Sequence, residues 1–159
     1  MHRTRQFAGA GREPSDADFA LAREHLPPAL FALFARQHPR DIVHAAATAR
    51  WLLTRGYSQP DLVLAALLHD IGKGEQRRLD RVVYVLADAV GAAGRVASPT
   101  SRFAVRRAVA RTREHSRSGA TQLAAAGAPV RAVELTLNHH GPSGHDTMLA
   151  LLQQADAES

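Results

Sequence analysis

The sequence predicts an all-α protein, a single compact helical domain of about seven to nine helices. Three observations predict it. Apolar residues recur at three- and four-residue spacing along most of the chain, the mark of helices with one buried face. No segment alternates β-branched and polar residues as a half-buried strand would. Pro, Gly and Ser stand at the joints between the periodic segments, where helices start and stop. A length of 159 residues with 45% apolar content suits one domain with its own core.

Residues 1–14 are rich in Gly and Arg without an apolar period and are expected to form a flexible tail, which leaves 15–159 as the domain. Ser15 is placed to cap a first helix, with Asp16 and Asp18 where the helix dipole favours negative charge. Phe19, Leu21, Ala22 and Leu26 form its apolar face. Pro27-Pro28 end it and open a second helix with Leu30, Phe31, Leu33 and Phe34 as core residues. A third runs from about Pro39 to Arg55, carrying Ile42, Val43, Ala46, Ala49, Leu52 and Leu53, and stops at Gly56. Pro60 starts a fourth; its run Leu62 to Leu68 is almost wholly apolar and ends in His69-Asp70-Ile71-Gly72-Lys73-Gly74.

Further helices are predicted over Leu79–Val90, over Ser101–Arg111 behind Ser98-Pro99, and over Glu114–Ala126 closed by Gly127, which sets His115 at a helix start. Pro129 opens another, with Val130, Val133, Leu135 and Leu137, that ends at His139-His140-Gly141-Pro142. Thr147–Ala157 is the last, with Met148, Leu149, Leu151 and Leu152. There is no internal repeat and no stretch that reads as an inter-domain linker.

Composition narrows the function. The absence of Cys removes disulfides, zinc knuckles and thiol nucleophiles. No apolar run reaches the length of a membrane span, and the basic start Met1-His2-Arg3-Thr4-Arg5 is not followed by an apolar stretch, so a cytoplasmic location is expected. The net charge is +5, which would suit a polyanion. Nucleic acid is the lesser reading, because aromatic residues make up only 5% and offer little for base stacking. Lys73 is the single lysine among positive charges otherwise supplied by Arg.

Nine histidines are many for this length, and their placing matters more than their number. His44 lies in an apolar, Ala-rich helix, and His69-Asp70 terminate the most hydrophobic stretch. His115, His139-His140 and Asp156 sit on three further helices. Packing those helices side by side can bring these groups to one point, and an imidazole–carboxylate set suits iron, manganese, cobalt or zinc. Taken alone, His69-Asp70 has a second reading, as a helix cap bonded to nearby backbone. Burying a carboxylate after Leu67-Leu68 is costly without a partner, and a cation removes that cost.

The run Leu64-Ala65-Ala66-Leu67-Leu68-His69-Asp70-Ile71-Gly72-Lys73 resembles the signature of the HD superfamily of metal-dependent phosphohydrolases. That family's ligand order is His, then His-Asp, then a distant Asp; His44, His69-Asp70 and Asp156 match it in turn. A larger subset, including the HD-GYP phosphodiesterases, adds two His positions for a second metal. Glu114-His115-Ser116-Arg117-Ser118-Gly119-Ala120 resembles the first and Leu137-Asn138-His139-His140 the second, with His139 the favoured ligand and His140 a second ligand or a substrate contact. The resemblance covers roughly residues 36 to 157. It implies an all-α fold, the ligands His44, His69, Asp70, His115, His139, His140 and Asp156, two divalent ions (Mn, Fe, Co or Zn) bridged by Asp70 and a hydroxide, and hydrolysis of a small phosphate ester, such as a nucleotide, by that metal-activated hydroxide. It also implies that Lys73 binds the phosphate.

Departures accompany the match. Gly141-Pro142-Ser143-Gly144 stands where HD-GYP proteins carry Gly-Tyr-Pro, so cyclic di-GMP hydrolysis is not predicted. Arg40 stands where some of that group place an acidic residue for a third metal. His145-Asp146 is a second His-Asp pair but follows a loop and reads as a decoy; His2, His25 and His38 read as surface. Arg77, Arg78, Arg81 and the arginines from Arg102 to Arg117 either line a mouth for an anionic substrate or form a solvated face. Two rival functions use the same fold: a mixed-valent di-iron oxygenase and a non-catalytic signalling or binding domain. The sequence leaves substrate and oligomeric state open.

Overall fold

The structure, a computed structural model, describes residues 12–73 and 104–159, the stretch 104–113 as backbone only. These residues form seven α-helices and one short 3-10 turn: α1 (Asp16–His25), α2 (Pro28–Ala35), α3 (Pro39–Thr54), α4 (Pro60–Leu68), the turn Ile71–Lys73, α5 (Ala104–Ala125), α6 (Val130–Asn138) and α7 (Thr147–Glu158). No strand occurs among the described residues, and none of their helices is long and apolar enough to cross a membrane. The helix predicted over Leu79–Val90 and most of the predicted tail lie outside the described residues.

The joints are made as the sequence chemistry dictates. Pro28, Pro39 and Pro60 occupy first-turn positions, where a missing N–H costs nothing. Asp18 reaches back to the amide and hydroxyl of Ser15 at 2.8 and 2.7 Å and closes the start of α1. At the core stands α4, buried on every side from Leu62 to Leu68. Around it pack Ile42, Ala45, Ala49 and Leu52 of α3, Ala132 and Leu135 of α6, and Leu149, Leu152 and Ala155 of α7. Leu30 and Phe34 of α2 and Ala22 of α1 complete the cluster.

One expectation is corrected. The predicted break between 111 and 114 does not exist: α5 runs unbroken from Ala104 to Ala125, so His115 lies in mid-helix rather than at a start. Nothing in Arg111-Thr112-Arg113-Glu114 forbids helical backbone. On α6, Val130 is 75% exposed and Leu137 43%. The buried face is instead Ala132, Leu135, Thr136 and then His139, the i, i+3, i+4, i+7 set.

One close approach positions the site. The turn Ile71–Lys73 lies against α5 where two glycines meet: a Cβ on Gly72 would stand 2.5 Å from the Gly119 amide nitrogen and 2.8 Å from the His115 carbonyl carbon. A second tie joins α1 to α3. Fully buried Asp18 pairs with Arg12 at 2.8 Å and with Arg50 at 2.6 Å. Burial alone would raise its carboxyl; the Ser15 amide and hydroxyl and the Arg50 guanidinium outweigh it and bring the pKa down to about 2.

Two predictions follow from these contacts. Gly72→Ala should lower the unfolding free energy by about 3 kcal/mol. Gly127→Ala, at a positive-φ glycine with open space around it, should cost roughly 1–2 kcal/mol; equal losses in urea denaturation would contradict the close approach. The Asp18 pKa is lower folded than unfolded, so its contribution is present above about pH 4 and is lost as pH falls through about 2. Allowing for solvent around the partly exposed arginines, Asp18→Asn should cost on the order of 1 kcal/mol at pH 7. That gap should shrink between pH 5 and pH 2, and a gap independent of pH would remove the ion pairs from the account.

Candidate metal centre

Five helices deliver the candidate residues. His44 projects from the middle of α3 and Asp156 from the last turn of α7, both half-buried. His69 is the C-cap of α4, and Asp70 follows it into the turn that ends at Lys73. His115 comes from α5, and His139 is the C-cap of α6 with His140 next to it. His69, Asp70, His115 and His139 are each no more than 3% exposed, whereas His140 is exposed.

The two C-cap histidines are built alike. Each ring donates Nδ1–H to the carbonyl three residues earlier: His69 to Ala66 at 3.0 Å and His139 to Thr136 at 2.6 Å. A carbonyl only accepts, so the hydrogen sits on Nδ1. That bond satisfies one of the carbonyls a helix end leaves unpaired, and it turns Nε2 inward. The helix-cap reading of His69 and its candidacy as a ligand are therefore two ends of one imidazole.

The inward atoms form two groups around Asp70. On one side the His44 and His69 Nε2 atoms lie 2.7 and 3.2 Å from Asp156 Oδ1, and His69 Nε2 lies 3.5 Å from Asp70 Oδ2. On the other, His115 Nε2 lies 3.3 Å from His139 Nε2 and 3.1 Å from His140 Nε2. Asp70 Oδ1 is 3.6 Å from His115 and 3.9 Å from His139. Within His44, His69 and Asp70, and again within His115, His139 and His140, the ligand atoms all fall within 4.8 Å of one another.

These spacings suit metal coordination. Ligands about 2.1 Å from a common ion and roughly 90–110° apart lie about 3.0–3.4 Å from each other. Asp70 Oδ1 is a further indication, since this buried carboxylate oxygen has no hydrogen-bond donor among the described residues, a state that is costly without a cation nearby. Lys73 pairs with Oδ2 of the same carboxylate.

Charge divides the two groups. Burial would raise Asp70 and Asp156, yet the His69 charge, with Lys73 for Asp70 and His44 for Asp156, holds both well below the usual carboxylate range. Burial would lower His69, and the two carboxylates overcome it and raise the ring to about 9. That side demands positive charge, which a proton on His69 or a cation can supply. Across Asp70 the balance reverses. Burial, reinforced by His69 and His140, lowers His139 to about 3, and burial also lowers His140. Those rings are neutral at pH 7, the form that binds metal.

All seven candidate ligands and Lys73 thus converge. His145-Asp146 stands apart: Asp146 caps α7 through the Leu149 amide at 3.1 Å and pairs with Arg131 at 2.5 Å. Arg117 is exposed, as a solvated face requires, and the side chains of the arginines from 77 to 113 lie outside the described residues. The sequence reading missed two features. Gln153 bonds to the backbone beside His139 and His140. A cavity of about 550 Å³ adjoins Asp70, walled by Arg36, Gln37 and His38 from the α2–α3 corner and by Ser118 and Gln122 from α5. A glutamine whose partners are carbonyls carries no signal in sequence, and His38, a surface residue by its sequence context, lines the cavity.

A family model, the HD domain, matches residues 36–158, most of the chain and every residue of the cluster. No curated protein and no solved structure matched the chain. The centre joins a His from one helix, a His-Asp pair ending the next and an Asp on the closing helix, within the span the family model covers; the chain belongs to the HD domain family.

Proposed function

We propose that the protein is a metal-dependent phosphohydrolase that cleaves a small phosphate ester at a two-metal centre. The observation that carries this reading is the position of Asp70, whose Oδ2 faces His69 while Oδ1 faces His115 and His139. His44, His69, Asp156 and Asp70 Oδ2 would hold one divalent ion; His115, His139, His140 and Asp70 Oδ1 would hold the other. When bound, such ions supply Lewis acidity toward a phosphoryl oxygen and a water of lowered pKa. Membership of a family made up mostly of metal-dependent phosphohydrolases supports the same reading.

The chain's own residues supply the rest. The Nδ1 bonds of His69 and His139 keep a hydrogen on Nδ1 and set both ring directions before any ligand arrives. Lys73, 15% exposed at its side chain and paired with Asp70, places an ammonium beside the centre, where it can share its charge with a phosphoryl oxygen. The cavity beside Asp70 gives the organic part of the ester a place to lie, with a guanidinium, amides and a hydroxyl in its wall.

Two experiments test this. Protein stripped by chelator and reloaded with Mn²⁺ should bind two ions per chain by elemental analysis and hydrolyse members of a phosphate-ester panel. Asp70→Ala should lose both hydrolysis and stoichiometric metal, and hydrolysis persisting in a metal-free Asp70→Ala protein would end the proposal. A redox-active di-iron pair in aerobically purified protein, without phosphatase activity, would favour oxygen chemistry instead. Lys73→Ala should retain both ions and lower kcat about 10²- to 10³-fold. A normal kcat in that variant would remove Lys73 from the reaction.

A further inference from the structure

α7 does two things at the centre. Asp156 in its last turn meets His44 and His69. One turn earlier, Gln153 Nε2 donates to the carbonyl of His139 at 3.1 Å and to the carbonyl of Gly141 at 2.7 Å. Those carbonyls belong to the residues on either side of His140. They lie just beyond the end of α6, where helix carbonyls have lost their own partners.

The two histidines they flank are held differently. His139 is buried and locked through Nδ1 to Thr136. His140 is exposed, and its Nε2 nonetheless lies 3.1 Å from His115 Nε2. Its ring packs against those of His139 and His115, with centroids 4.0 and 4.9 Å away, and is otherwise open, so the backbone that carries it also sets its direction. Gln153 fixes that backbone on both sides.

We infer that Gln153 is a positioning residue for the His140 side of the centre. It ties the turn bearing His139 and His140 to the helix that supplies Asp156, so that the two groups of ligands keep one register. This inference rests on the two-metal reading above. A glutamine acting only as a helix cap would contribute general stability and would not distinguish one ion from the other.

The experiment is calorimetric titration of Mn²⁺ into the chelator-stripped full chain, comparing wild type with Gln153→Leu, Gln153→Glu, His140→Ala and the double variant Gln153→Leu/His140→Ala. Leu is close in shape without the donor. Glu cannot donate and turns negative charge on the two carbonyls, and it serves if the Leu variant does not fold. Either Gln153 variant should bind the first ion within about twofold of wild type and the second about 10- to 100-fold more weakly. The double variant should lose little beyond His140→Ala, because Gln153 acts through that ring. Unchanged affinities, equal losses for both ions, or additive losses in the double variant would overturn the inference. Wild-type protein that takes up no second ion would overturn the two-metal reading itself, which separates the two failures.

Discussion

The arrangement depends on one constraint: a carboxylate placed at the end of a helix that is apolar on every side. Asp70 follows Leu67-Leu68 and is 3% exposed. An ion there, taken out of water, is tolerated only where opposite charge and hydrogen bonds surround it. The chain answers from both directions along the sequence. Lys73 and His69 stand beside Oδ2, and the His115 and His139 rings approach Oδ1. α5 and α6 thereby meet the α3–α4–α7 core at a buried carboxylate as well as through apolar packing. The Gly72–Gly119 approach supports it, because it lets the turn carrying Asp70 lie close enough to α5 for His115 to reach the carboxylate.

Helix ends supply the aim. α4 and α6 both terminate in a histidine that takes up a carbonyl three residues back and turns its other nitrogen inward. An end that would otherwise leave acceptors unpaired becomes a device for fixing a tautomer. In both helices the candidate ligand is therefore the residue after the last helical position. This arrangement also shows how His69 and Asp70, adjacent in sequence, can both face one candidate centre: α4 ends at Leu68 and the backbone turns through both residues into Ile71–Lys73.

The sequence displayed this unevenly. The His69-Asp70 run could be read because its residues are contiguous and follow a recognisable apolar helix. His44 and Asp156 match the ligand order of the HD family that the run resembles. On α6 the apolar Val130 and Leu137 are exposed, so hydrophobicity alone does not mark the inward face. That face is occupied partly by the buried polar residues Thr136 and His139, so its period is hidden from any scale of hydrophobicity. The false break before His115 has a similar origin: a polar, Arg-rich stretch looks like a joint although nothing in it stops a helix. Gln153 and the cavity wall were illegible for another reason. Their roles come from backbone carbonyls and from the meeting of distant helices, which composition and spacing do not encode.

The two sides of Asp70 are chemically unequal, and the inequality bears on what a pair of cations would do there. One side offers two imidazoles, the Asp156 carboxylate and one oxygen of Asp70; the other offers three imidazoles and the remaining Asp70 oxygen. A divalent ion on the carboxylate-rich side would be nearly neutralised by its ligands and held by Coulomb attraction. An ion among the three histidines would keep more of its charge, since imidazole donates a lone pair without a counter-charge. With two ions bound as proposed, affinity and Lewis acidity would fall on opposite sides of one shared carboxylate. The ion better able to polarise a phosphoryl oxygen would be the one held less by charge, and so the one more dependent on how well its histidine rings are aimed.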